Sequence, residues 1–327
     1  MASEPPTARP CEIITVSRAQ PFPLRYGRLT LRATAAARSA DVVYASATYA
    51  AAAAASALAR RPLVVKLVSD PAYERARRYR LATGTLEQFQ ETGSAPVAAL
   101  KRARTAALRR AASVIVPSRY LAEIALGWGL DPKRVVVVPN PAPALSVPPA
   151  GARQGLVFAG RLTLQKALDT ALDAVARVPG ADLLVIGDGP DRARLERHAT
   201  ALGLNGRVRF IGSVPRTQVL EAFAAAEALV ISSDWENFPH TAVEALALGT
   251  PLIATAVGGV PEVVTDGVNG LLVPPGEPDA LAAAIERFLG SPELRATLSD
   301  AAKGSVEHLT AAKIYGRIEE LLVAAAR

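Results

Sequence analysis

Short runs of Val, Ile and Leu, recurring at strand length and separated by helix-length stretches, constrain this chain more than any other feature. In the second half they fall at residues 156–159, 183–187, 207–211, 228–232, 251–255 and 271–273. In the first half they fall at 11–17, 41–45, 62–68, 113–116 and 134–138. Apolar and polar residues do not alternate within the runs, so each strand is expected to be covered on both faces, as in a parallel sheet. Strands alternating with helices over such a length build doubly wound α/β domains. A chain of 327 residues has room for two. The stretch VPNPAPALSVPP over 138–149 has no hydrophobic period and reads as the connector between them. The expected division is 1–145 and 146–308, with a last helix in 309–327.

Composition narrows the function classes. Cys11 is the only cysteine, which excludes an internal disulfide, and His198, His240 and His308 are too scattered to suggest zinc. The start, MASEPPTARP, is polar and Pro-rich and does not read as a signal peptide, and the alanine-rich run over 47–59 is too short to span a membrane. A cytoplasmic protein is expected. Residues 1–150 hold 21 Lys and Arg against 9 Asp and Glu, a net of +12, whereas the remainder carries −5. A basic first half points to an anionic partner. Aromatic residues make up only 5% of the chain and no nucleic-acid motif accompanies the charge, so nucleic acid is not expected. The basic helix expected over 96–112, with Lys101, Arg102, Arg104, Arg109 and Arg110, is either a packed helix with a solvated face or a contact for anionic lipid.

The residues with chemical potential sit at strand ends. EALVISSDWENFPHTAVEALALG over 227–249 reads as a strand, a break at Ser232–Asp234 and a helix led by Pro239. Glu236 falls in the loop and Glu244 on the helix, both near the sheet's carboxyl edge, where open α/β sheets bind ligands. Taken alone, Glu236 reads more readily as a loop cap and Glu244 as a solvated helix residue. Gly160, Arg161 and Lys166 follow the strand at 156–159, and two cations at such a place suit a diphosphate. The turn IGDGP at 186–190 lacks the third glycine of a dinucleotide fingerprint, so NAD binding is a poor reading. Asp70 lies just past a strand and before Pro71, where it reads either as a helix N-cap or as a group facing a substrate.

Taken together, Glu236 and Glu244 with seven residues between them, the Arg161–Lys166 pair, and the VGGVPE and DGVNGLLVPPG segments resemble the retaining glycosyltransferases of the family-4 type. The stretch from Tyr73 to Gln90 is similar to a subset that builds bacterial surface polysaccharides. The resemblance implies the GT-B fold: two Rossmann-like domains facing a cleft, with the last helix crossing back to the first domain. It implies transfer of a hexose-type sugar from a nucleoside-diphosphate sugar to a hydroxyl of a glycan or lipid-linked glycan, with no metal or separate cofactor. Arg161 and Lys166 would hold the diphosphate, Glu236 the sugar hydroxyls and Glu244 the ribose. Gly160 and Gly187 would line the donor cleft, Val214 would lie in the loop holding the base, and backbone groups of Asn237, Phe238, Pro239 and His240 would meet sugar or phosphate. Asp70 stands where the family often carries a group facing the reacting sugar.

One departure follows. The family opens with a strand and a glycine-rich loop, and CEIITVS at 11–17 looks like a later element, so about one β-α unit is expected to be missing, leaving an open sheet edge prone to association. A non-catalytic nucleotide-sugar-binding protein and a nucleotide-sugar epimerase on the same fold therefore stay open as alternatives.

Overall fold

The computed structural model describes residues 21–91, 93–142 and 153–327. The strand expected at 11–17, most of the proline-rich connector and the boundary at 145/146 lie outside these residues. Two parallel sheets make up the fold, one of four strands and one of six.

The first half contains β1 (Val43–Ala45), β2 (Leu63–Lys66), β3 (Ser113–Val116) and β4 (Val135–Val137), in that spatial order. Its helices are α1 (Phe22–Arg38), α2 (Tyr49–Ala59), α3 (Pro71–Arg78), α4 (Leu86–Glu91), α5 (Ala95–Arg109) and α6 (Arg119–Gly127). The second half contains β5 (Leu156–Ala159), β6 (Leu183–Ile186), β7 (Val208–Gly212), β8 (Ala228–Ile231), β9 (Leu252–Thr255) and β10 (Gly270–Val273). Between and after them run α7 (Leu168–Arg177), α8 (Arg192–Ala201), α9 (Arg216–Ala225), α10 (His240–Ala247), α11 (Pro278–Gly290), α12 (Pro292–Ser305) and α13 (Ala311–Ala326).

The apolar runs behave as expected for doubly covered strands. All four residues of β8 are buried, and successive side chains enter different cores: Leu229 and Ile231 face one, Ala228 and Val230 the other. In the first sheet Leu63 and Val65 of β2 pack into a core with Leu108 and Leu121. Val64, between them, shares its core with Ile314 and Ile318 of α13, so the last helix covers one face of the first sheet. That same cluster continues into the second half through Leu229, Phe238 and Val243, and apolar packing therefore joins the two halves. Among the described residues no helix is long and apolar enough to cross a membrane.

The strand order of the second sheet, β10-β9-β8-β5-β6-β7, fixes where a ligand can sit. The winding reverses between β5 and β8, and the loops leaving them diverge, opening a crevice at their carboxyl ends.

Candidate donor site at the switch point

The loops after β5 and β8 carry the two sequence motifs and are stitched to each other. The Asp234 N–H donates to the Gln165 carbonyl at 2.9 Å, and the Gln165 side chain donates to the Trp235 carbonyl at 2.9 Å. Ser232 Oγ donates to the Lys166 carbonyl at 3.0 Å. This scaffold brings Lys166 Nζ to 2.5 Å from Glu236 Oε1, which also accepts from Ser233 Oγ at 2.7 Å. Both charges are held in a mostly dry place, with 23% and 9% of their side chains exposed. The cation and carboxylate that spacing alone left 70 positions apart thus form one unit.

Beside this pair a cavity of about 370 Å³ opens at the carboxyl ends of β5, β6 and β7. Gly160, Arg161, Gly187 and Val214 all line it, so four residues singled out from sequence share one wall. Arg161 is exposed and its fork is available to an anion. Gly187 has to be glycine: its φ is +134°, and a Cβ there would lie 1.9 Å from the Gly160 carbonyl oxygen. Glu244, on α10, binds Arg216 Nη2 at 2.6 Å. Burial raises its carboxyl pKa above the ordinary value, and Arg216 opposes that shift.

The segment between the two glutamates faces the other half of the molecule. Asn237 donates through Nδ2 to the Val68 carbonyl at 2.5 Å and accepts at Oδ1 from Ser118 Oγ at 2.6 Å. Phe238 is buried in the shared core, and its carbonyl accepts from Asn140 Nδ2 at 3.1 Å. These groups therefore join domains, which leaves the backbone N–H groups of Asn237 and Phe238 for a ligand. Pro239 is the N-cap residue of α10, so the helix begins at His240, one position later than read from sequence. Two glycines let the loop close: a Cβ on Gly258 or Gly259 would fall within 1.8 Å of the Glu236 or Asn237 carbonyl oxygen.

Asp70 is corrected by the structure. Its side chain is fully buried; Oδ1 accepts from the Ala72 and Tyr73 N–H groups, and Oδ2 accepts from Arg104 Nη1 at 2.6 Å and Gln90 Nε2 at 3.2 Å. With both oxygens engaged it caps α3 and does not face a substrate. Arg104 is likewise removed from the expected solvated face of the basic helix, because it turns inward and stacks on Trp128 at 3.8 Å.

Sequence reading missed Glu262 in this role, although its motif was noted. Its carboxylate accepts from the N–H groups of Arg119 and Tyr120 at 2.8 and 2.9 Å, capping α6 across the domain interface. The partners are more than 140 residues apart, and no local pattern announces such a contact. Arg216 was missed for the same reason.

Comparison with known proteins agrees with this geometry. A model of group 1 glycosyl transferases matches residues 149–305, and one of the glycosyl transferase 4-like domain matches 4–141. The lipopolysaccharide core biosynthesis glycosyltransferase LpsE of Rhizobium meliloti is 38% identical over 43% of this chain and 41% of its own. A D-inositol 3-phosphate glycosyltransferase of Mycobacterium marinum is 40% identical over 49% of this chain and 38% of its own. The chain thus spans about two fifths of the length of these relatives. Among solved structures, Anabaena HepE in complex with UDP and glucose superposes with a TM-score of 0.77 at 24% identity, covering 93% of this chain and 84% of that one. With a 4-like domain in its first half, a group 1 domain in its second and the two-domain fold of such enzymes, the chain belongs to the family-4 type glycosyltransferases of GT-B fold.

Proposed function

We propose that this chain transfers a hexose-type sugar from a nucleoside diphosphate to a hydroxyl acceptor with retention of configuration at the anomeric carbon. The observation that carries the reading is the Lys166–Glu236 pair beside the cavity lined by Arg161, at the switch point of the second sheet. Loss of a diphosphate requires fixed positive charge where the negative charge develops, in a site poor in water. Arg161 and Lys166 supply it. In this structure Lys166 rests on Glu236; with donor in place it turns to the phosphates, freeing the Glu236 carboxylate to accept from sugar hydroxyls. Glu244 receives the ribose. Retention rests on the resemblance to the family and is read from the anomeric proton coupling of the product. The exposed Arg102 and Arg109 on α5 and Arg110 at its C-cap would supply any contact with anionic lipid.

Titration calorimetry with UDP separates the two glutamates. Glu244→Gln is expected to weaken UDP about tenfold, the effect of losing one charge-assisted hydrogen bond. Glu236→Gln is expected to leave UDP affinity nearly unchanged and to reduce transfer. Equal weakening by both removes the split. The pH dependence has a definite sign. Burial raises the Glu244 pKa above 4.5, so acidification protonates it earlier than an ordinary glutamate. UDP affinity should therefore begin to fall above the usual carboxylate range in the wild type, and this limb should be absent in Glu244→Gln.

A further inference from the structure

The first domain holds a cavity of about 600 Å³ that the donor chemistry does not use. It lies at the carboxyl ends of β1 and β2, between α1, α3 and α5, and its charge is lopsided. Arg25 of α1 and Arg75 and Arg78 of α3 line it, and Glu74 is the sole carboxylate among the described lining residues. Glu74 accepts from Ser69 Oγ at 2.5 Å. Arg104 also borders the cavity; although paired with Asp70, it keeps its Nε without a partner.

Two further observations mark this as a built site. Thr48, on the wall, has φ +52° and ψ +39°, a left-handed conformation unfavourable for a β-branched residue. Such strain persists only where surrounding structure enforces it, and it concentrates at ligand sites. Val68, also on the wall, accepts through its carbonyl from Asn237, the residue after Glu236. The basic cavity and the donor site therefore meet at one hydrogen bond.

We infer that this cavity takes the phosphate or diphosphate of the acceptor, so that the sugar is transferred to a hydroxyl on a phosphate-bearing molecule. The inference rests on the transferase reading above. Arginine forks match phosphate oxygens bidentately, and a phosphate seated among them would hold the attached acceptor against the donor site. In the transfer the acceptor hydroxyl oxygen forms a bond to the anomeric carbon. The bond from that carbon to the donor phosphate breaks, its electron pair leaves with the nucleoside diphosphate, and the hydroxyl proton passes to that leaving group.

The test uses the full chain saturated with UDP, which occupies the donor diphosphate site. Geranyl diphosphate, glucose 1-phosphate and methyl α-glucoside are then titrated in turn. At least one phosphate-bearing probe should bind, with methyl glucoside weaker by at least about tenfold. Preference for geranyl diphosphate assigns a lipid-linked acceptor, and preference for glucose 1-phosphate a soluble sugar phosphate. Arg75→Gln combined with Arg78→Gln should weaken the phosphate probes at least about tenfold while UDP affinity stays unchanged. Arg78 is exposed, so Arg78→Gln alone keeps the test valid if the double variant fails to fold. Absence of binding by both phosphate probes, or wild-type binding by the arginine variants, overturns the inference. Failure of UDP itself to bind would count against the donor site only, because sensitivity of the phosphate probes to Arg75 and Arg78 still decides the cavity.

Discussion

Lys166→Ala is expected to lower sugar transfer by roughly 10²–10³, the usual effect of removing one group that stabilises charge in a transition state. The variant also leaves Glu236, only 9% exposed, with the Ser233 hydroxyl as the hydrogen bond remaining at that oxygen. A buried carboxylate without its cation costs up to about 3–5 kcal/mol, and less here because Lys166 itself is 23% exposed. The two effects can be separated. Adding Glu236→Gln to Lys166→Ala removes the unpaired charge, so melting temperature should recover while transfer stays low. Recovery of transfer in the double variant would mean that Lys166 serves only to neutralise Glu236.

Arg104→Ala is expected to have the largest effect on stability. Asp70 has 0% side-chain exposure and Arg104 only 4%, so solvent cannot replace either partner. Breaking such a pair costs about 3–5 kcal/mol, and loss of the guanidinium stacked on Trp128 adds on the order of 1–2 kcal/mol. Asp70→Asn should also destabilise, because it leaves the guanidinium unpaired and weakens the α3 cap. Thermal unfolding checks both variants, and UDP affinity of the folded protein should be unchanged in each. An Asp70→Asn protein of wild-type stability that had lost transfer would return Asp70 to the reacting centre.

These cases show which parts of the site are legible in a sequence. Doubly covered strands are legible because their apolar runs need no long-range information, and all six strands expected after residue 155 are present within a residue or two. Gly160, Arg161, Gly187 and Val214, with Gly187 and Val214 assigned to the cleft only by resemblance, share one wall because each lies just past a strand, and parallel strands bring their carboxyl ends to one edge. Asp70 was ambiguous because a cap and a substrate-facing carboxylate occupy the same place past a strand, and only the distant Arg104 decides between them. Glu262 on α6, Arg216 on Glu244 and Asn237 on Val68 depend on how two domains or two helices meet. No spacing within one segment encodes such contacts. The arginine cavity escaped for a related reason: its charges come from α1 and α3, two helices far apart in sequence that only the fold brings together.

The central claim is that the crevice between β5 and β8 binds the donor diphosphate through Arg161 and Lys166. Its most direct measurement is calorimetric titration of UDP, GDP, ADP and dTDP into the wild-type chain, Arg161→Ala and Lys166→Ala, with Arg78→Gln as a first-domain control. One nucleotide should bind the wild type at a single site, weaken at least about tenfold in each second-domain variant and bind Arg78→Gln with wild-type affinity. Nucleotide binding indifferent to both Arg161 and Lys166, or no binding by any of the four, would contradict it.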